Sequence, residues 1–147
     1  MGMGDNFFHC GGPGMGEVAK LSNNLILGIL MVATSEGMAI GEKLGIDAKI
    51  LCDIMSVSSA RNKCIDTMNP KPGLMEGVPS SNDYKGGFAA GLIAKDMSLA
   101  KAAAEGVDAR TDLLTQSLEY YQTLENNGLG DKDFAYVYQY IMNNKQL

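Results

Sequence analysis

Residues 15–44 run for thirty positions without a proline, and good helix formers dominate them. The stretch predicts one long helix, and the rest of the chain must be arranged around it. Gly28, Gly37 and Gly41 weaken its local propensity, but small residues inside a long apolar helix mark close packing against a neighbour. From Leu25 to Ala33 the segment is apolar all round, which predicts a central, buried position. At nine residues this run is too short to span a bilayer. Gly45 ends the helix.

The remaining periodicities are also helical. Asp47 reads as the N-cap of a helix over Ala48–Val57, with Ile50, Leu51, Ile54 and Met55 at helical spacing. Ser58 or Ser59 reads as the cap of a short helix reaching about Met68. Asn69 to Gly87 holds three of the four prolines and predicts a long loop, a feature uncommon inside compact domains and often functional. A further helix is expected from about Phe88 to Glu105, with Phe88, Leu92 and Leu99 on its apolar side. Asp108 or Thr111 opens another through Asn126, carrying Leu113, Leu114, Leu118 and Tyr121. Asp131 reads as the cap of the last, with Phe134, Val137, Tyr138 and Ile141 inward. Asn6–Cys10 is the only strand candidate and has no partner strand. The expected fold class is all-α, with five or six helices and no internal repeat.

A chain of 147 residues makes one domain or at most two small ones. Hydrophobic residues at 46% and charged residues at 20% exclude a disordered or low-complexity chain. A net charge of -5 argues against a broad nucleic-acid surface and against attraction to anionic membranes. Three scattered cysteines argue against a disulfide scaffold and suit a reducing compartment. With a single histidine, they offer no paired spacing for a metal. The start, Met1 to Asp5, has the features of neither a signal nor a transit peptide. It reads as a chain cut into, with a start codon added.

Few residues suggest chemistry. Gly14-Met15-Gly16-Glu17-Val18-Ala19 fits G-x-G-x-x-A, a dinucleotide fingerprint if a second strand and a ribose-binding acid follow. Here a helix continues instead and Glu36 falls inside it, so the glycines read as a tight turn into a helix packed against another backbone. Lys20 and Asn24, four residues apart, share one face of the long helix. Lys20 either snorkels to solvent or is desolvated and acts as a general acid or base. Asn24 offers one acceptor and two donors to a polar substrate. Lys95-Asp96 is either a solvated pair or a lysine reaching an anionic or carbonyl group, with Asp96 bracing a neighbour. Asn23, His9 and the tyrosines read as structural. Cys10 and Cys52 read as buried thiols, and no cysteine is assigned a nucleophilic role.

These motifs together resemble the β-hydroxyacid dehydrogenases. Gly11-x-x-Gly14-x-Gly16-x-x-x-Lys20-x-x-x-Asn24 is similar to that family's catalytic motif. Phe88 followed by Lys95-Asp96-Met97-Ser98-Leu99-Ala100 resembles its later cofactor motif, with Met97 where leucine is common. The loop Asn69-Pro70-Lys71-Pro72-Gly73-Leu74-Met75, continuing through Pro79, Tyr84, Gly86 and Gly87, resembles the 3-hydroxyisobutyrate dehydrogenase branch. The resemblance implies the C-terminal helical domain of such an enzyme, like that of 6-phosphogluconate dehydrogenase. Residues 1–12 would then be the remnant of the last strand of a missing Rossmann domain, and 13–147 the all-α domain. It further implies Lys20 as the catalytic lysine, Asn24 as substrate-binding and Lys95 as cofactor-binding, with no metal. The cofactor would be NAD, held mainly by the missing domain. The reaction would be oxidation of 3-hydroxyisobutyrate to methylmalonate semialdehyde in valine breakdown, by a homo-oligomer. The location would be the mitochondrial matrix in a eukaryote and the cytoplasm in a bacterium.

Two rival readings stand beside this one. One is a non-catalytic helical interaction domain with the long helix as its dimerisation element. The other is the same fold acting on a different short β-hydroxy acid. Either way, the isolated chain is expected to be inactive.

Overall fold

The structure, a computed structural model, describes residues 6–143. The reading of Met1 to Asp5 as an added start lies outside them. Six α-helices follow in order: α1 Met15–Lys43, α2 Ala48–Val57, α3 Lys63–Thr67, α4 Ala90–Glu105, α5 Asp112–Leu124 and α6 Val137–Asn143. No strand occurs among the described residues, so the all-α expectation holds. Asn6 to Gly11 run without regular structure and are exposed, including His9 and Cys10, which the sequence suggested were packed.

Helix α1 touches each of the other five helices and is the spine of the fold. Its glycines explain how. A Cβ built on Gly28 would lie 2.5 Å from Met97 Sδ, so a side chain there would force Met97 of α4 to move. Tyr121 of α5 reaches the same place, and its hydroxyl donates to the Gly28 carbonyl at 2.9 Å. Met31 and Met38 of α1 are fully buried, yet Ile26 and Ile40 are 55% and 60% exposed. The helix is therefore central without being buried all round. Its length and apolarity alone would suffice to cross a membrane, but in this fold its inner face is core.

Several local expectations are corrected by longer-range contacts. Asp47 does cap α2, accepting from the Lys49 and Ile50 amides. The cap of α3 is Asn62 rather than Ser58 or Ser59, and Asn62 Oδ1 accepts from Cys64 N at 2.8 Å. On α4 the buried side is Ala90, Ile93, Ala94, Met97 and Ala100, while Leu92 and Leu99 face solvent. Ile93 and Met97 of the buried side pack against Gly28 of α1. Leu113 is likewise exposed, and Leu114, Leu118 and Tyr121 carry the packing of α5. The last turn is capped by Asp133, not Asp131.

Asp133 is 2% exposed. One carboxylate oxygen accepts from Ala135 N at 3.0 Å and the other from Phe88 N at 2.8 Å, across 45 residues. Burial pushes its carboxyl up from the ordinary value, and the two amide donors oppose that. Gly87 beside it has φ +69°, and any Cβ there would collide with this carboxylate and with Pro79. The long loop is built rather than loose. Asn69 is fully buried and receives the Ser80 hydroxyl on its carbonyl at 2.6 Å. Tyr84 donates to the Pro70 carbonyl at 2.8 Å, and Lys71 reaches Glu42 on α1 at 2.6 Å. Tyr138 of α6 donates to the same Glu42.

Burial raises the pKa of four weak acids in this core: Cys64, pushed up to about 12, and Tyr84, Tyr121 and Tyr138. A glutamate hydrogen bond adds to the effect at Tyr138. Unfolded, these groups lose their protons near their ordinary values of 9.0 for the thiol and 10.0 for the phenols. The unfolded state then binds fewer protons than the folded one, so stability falls as pH rises. Their contribution is fully present below about pH 9 and is lost above it. The urea midpoint is expected to fall steadily through this alkaline range. A midpoint that stays level there would mean that these four groups are not held protonated by the fold.

Candidate functional site

The first turns of α1 present Glu17, Lys20 and Asn24 at spacings of three and four, hence on one face. Helix α4 brings Asp96 to the same place because the two helices cross one turn further on, at Gly28 and Met97. Asn24 Nδ2 donates to Asp96 Oδ2 at 2.7 Å, joining residues 72 apart. Asn24 Oδ1 accepts from the Asn23 amide at 3.1 Å. The Asn24 side chain is thus held from both ends. The Lys20 ammonium lies between two carboxylates, 3.7 Å from Glu17 Oε1 and 3.9 Å from Asp96 Oδ1. Asp96 is 13% exposed in its side chain and Lys20 55%.

The structure therefore brings Lys20 and Asn24 together, as their spacing predicted, and adds Asp96 in the bracing part read for it. Lys20 is not desolvated by the described residues; it stands at an open surface. Lys95 is exposed on α4, beside Asp96 in sequence, and makes no hydrogen bond or ion pair among the described residues. Sequence reasoning missed Glu17 as a neighbour of Lys20, although its position one helical turn earlier was a usable signal.

The glycine-rich approach to α1 is a tight turn, as expected: Gly14 has φ +85° and caps the helix without a side chain. The expected second backbone packed against it is not found among the described residues. A Cβ built on Gly12, Gly14 or Gly16 would meet nothing within 4 Å. The turn is open on its outer side, so another backbone or a bound molecule can come close to it, with Lys20 one to two turns along. A surface groove of about 510 Å³ lies elsewhere. It runs between α1 and α5 past Ile29, Glu36, Leu113, Tyr120 and Tyr140, and includes none of Lys20, Asn24 and Lys95.

The three cysteines differ in environment. Cys64 is buried, and its thiol is pushed up to about 12 by desolvation. Cys52 is half-buried and accepts from the Asn69 amide at 3.2 Å, and its thiol is also raised by burial. Cys10 is exposed. A thiol-specific reagent at neutral pH is expected to label Cys10 quickly and Cys64 only on unfolding. Fast labelling of Cys64 in the folded chain would contradict the packing around it.

The family described as the NAD-binding domain of NADP-dependent 3-hydroxyisobutyrate dehydrogenase matches residues 14–141. Among curated proteins, a probable mitochondrial 3-hydroxyisobutyrate dehydrogenase of Arabidopsis thaliana is 44% identical over 143 residues, covering 97% of this chain and 41% of that protein. An NAD-dependent L-serine dehydrogenase of Pseudomonas aeruginosa is 44% identical over 135 residues, covering 92% of this chain and 45% of that protein. The solved structure of a Mycobacterium tuberculosis 3-hydroxyisobutyrate dehydrogenase with L-serine superposes with a TM-score of 0.86 at 32% identity, over 90% of this chain and 45% of that one. The chain spans less than half the length of each of these proteins.

Proposed function

This chain belongs to the NAD-binding helical domain family of the 3-hydroxyisobutyrate dehydrogenases, and from that premise we propose that it supplies the proton-transfer half of an NAD-dependent hydroxyacid dehydrogenase site. The observation that carries the reading is the Lys20–Asn24–Asp96 cluster, in which an amine is held beside an oriented amide. Lys20 takes the hydroxyl proton of the substrate as its carbon is oxidised, and returns it to the forming alkoxide in the reverse direction. Asn24, held by Asp96, orients that hydroxyl. Glu17 and Asp96 keep the Lys20 side chain over the site. When bound, NAD would supply the hydride acceptor for this oxidation.

The open glycine turn and Lys95, which has no partner among the described residues, fit such a cofactor: the turn leaves room for close approach and Lys95 offers a positive charge. The rest of the dinucleotide is held by a companion domain, in keeping with the share of the relatives that this chain leaves uncovered. Residues 1–12 join that domain's sheet as its last strand, and 13–147 form the helical domain. The 147 residues alone are accordingly inactive. The substrate is 3-hydroxyisobutyrate, the product methylmalonate semialdehyde and the setting valine breakdown. The enzyme is a homo-oligomer, in the mitochondrial matrix of a eukaryote or the cytoplasm of a bacterium. A second reading, L-serine as the hydroxy acid, is favoured by the Pseudomonas relative. The test is NADH formation by the complete protein with each substrate: a higher kcat/KM for 3-hydroxyisobutyrate is expected, and a higher value for L-serine would replace it. No turnover of either would remove the assignment.

Asp96→Asn is expected to lower kcat/KM roughly 10- to 100-fold, the worth of one charge-assisted hydrogen bond. The circular dichroism spectrum should be unchanged. Wild-type kinetics in this variant would reduce the Asn24–Asp96 bond to a packing contact.

A further inference from the structure

The groove between α1 and α5 changes character along its length. On α1, Ile29, Val32 and Glu36 fall at spacings of three and four, and on α5 Leu113, Ser117 and Tyr120 fall at four and three, so each set shares one helix face. The Tyr120 hydroxyl donates to Glu36 Oε1 at 3.1 Å, which joins the two faces at one end. Ile29 and Leu113 mark the other end, where they also line the neighbouring hollow beside Leu25 and Thr111. The two ends are roughly 10 Å apart along each helix. The Ile29 end is apolar. At the Glu36 end the rings of Tyr120 and Tyr140 stand edge to face, 5.8 Å apart and at 79° to one another, and form two walls of a corner. Glu119 lines the same groove.

The polar groups at the Glu36 end are short of partners. Neither Glu36 nor Glu119 forms an ion pair among the described residues, and no lysine, arginine or histidine lines the groove. Ser117 is 5% exposed, yet its hydroxyl makes no hydrogen bond among the described residues. Among those residues Ser35 Oγ alone is a fully enclosed side-chain polar atom without a partner, so the Ser117 hydroxyl is reached from the groove it lines. Carboxylates, a perpendicular pair of aromatic rings and an unused hydroxyl over an apolar floor suit a cation with N–H donors and an aliphatic tail. We propose that this groove binds a free primary alkylammonium ion. Its nitrogen sits against Glu36 and the two tyrosine rings and donates to Ser117, and its chain runs along Val32, Ile29 and Leu113. The volume of about 510 Å³ falls within the range of small-molecule pockets, and is more than one lysine side chain would fill. The groove includes none of Lys20, Asn24 and Lys95, so the inference does not rest on the proposed activity. Its carboxylates repel the anionic substrate and cofactor proposed for that site.

Titration of the 147-residue chain with hexylammonium chloride, followed by nuclear magnetic resonance, tests this. Saturable shifts of the Tyr120 and Tyr140 ring protons are expected, with a Kd of about 1 mM or below. 1-Hexanol, the uncharged analogue, should bind at least about 10-fold more weakly. Glu36→Gln removes the charge but keeps an acceptor for Tyr120, and should weaken hexylammonium binding about 5-fold. Ser117→Ala should weaken it by a similar factor. Neither substitution enlarges a side chain, and circular dichroism should show both variants folded. No saturation by about 20 mM overturns the proposal. So does hexanol that binds as tightly, or binding indifferent to both variants. A capped lysine peptide that binds more tightly than hexylammonium would assign the groove to a lysine of another chain, and overturns it as well.

Discussion

In the complete protein that carries this chain, Lys20→Arg is expected to lower kcat about 10²–10⁴-fold, the usual worth of a general acid–base group. Arginine keeps the positive charge between Glu17 and Asp96 and can still attract an anion. It stays protonated at working pH, so it cannot accept a proton. Lys20 is 55% exposed, so the longer side chain needs no repacking and the fold is unaffected. A role limited to anchoring would give the opposite pattern, with kcat preserved and KM altered. Steady-state kinetics with saturating NAD+ separates the two, and a near-wild-type kcat would leave Lys20 as an anchor.

Asp133→Ala is expected to cost about 2–5 kcal/mol of stability, because it strands two buried amide donors at once. The loss should appear as a lower urea midpoint with an unchanged slope. The same residue positions the site at a distance. Its carboxylate holds Phe88, and the neighbouring backbone ties Ala90 to Lys132 and Gly91 to Gly130, which together fix the start of the helix that carries Lys95 and Asp96. A variant that lost less than half a kilocalorie would show that these amides find other partners. Asp133→Asn is the milder control: its single amide oxygen satisfies one of the two donors.

What the sequence made legible was local. The proline-free stretch gave α1 almost to the residue, and Asp47 gave the start of α2, since each signal acts within one turn of its own position. The misplaced features all depended on distant partners. Asp131 and Asp133 are equally good caps on local chemistry, and Asp133 serves because it also reaches Phe88. Ser58 and Ser59 have the right side chains, but Ser58 is the C-cap of α2 and no helix starts until Lys63, so the cap falls to Asn62. Leu92 and Leu99 fit an apolar side on the local pattern, yet α4 buries Ala90, Ile93, Ala94, Met97 and Ala100, with Ile93 and Met97 against Gly28 of α1. At the candidate site the four-residue spacing of Lys20 and Asn24 was readable. Their partner Asp96 lies 72 residues beyond Asn24, and only the crossing of α1 and α4 brings it there.

The measurement that bears most directly on proton transfer by Lys20 is amine rescue. Lys20→Ala in the complete protein removes the amine and leaves a gap at the open surface between Glu17 and Asp96. Added ammonia, methylamine or ethylamine can enter that gap, and its free base can accept the proton in place of the lysine amine. Turnover of 3-hydroxyisobutyrate with NAD+ is predicted to be nearly absent without amine and to rise with amine concentration until it saturates. A quaternary ammonium, which carries charge but no exchangeable proton, should have no effect. A folded variant that no primary amine restores, or one that a quaternary ammonium restores equally well, would contradict the assignment of Lys20 as the proton-transfer group.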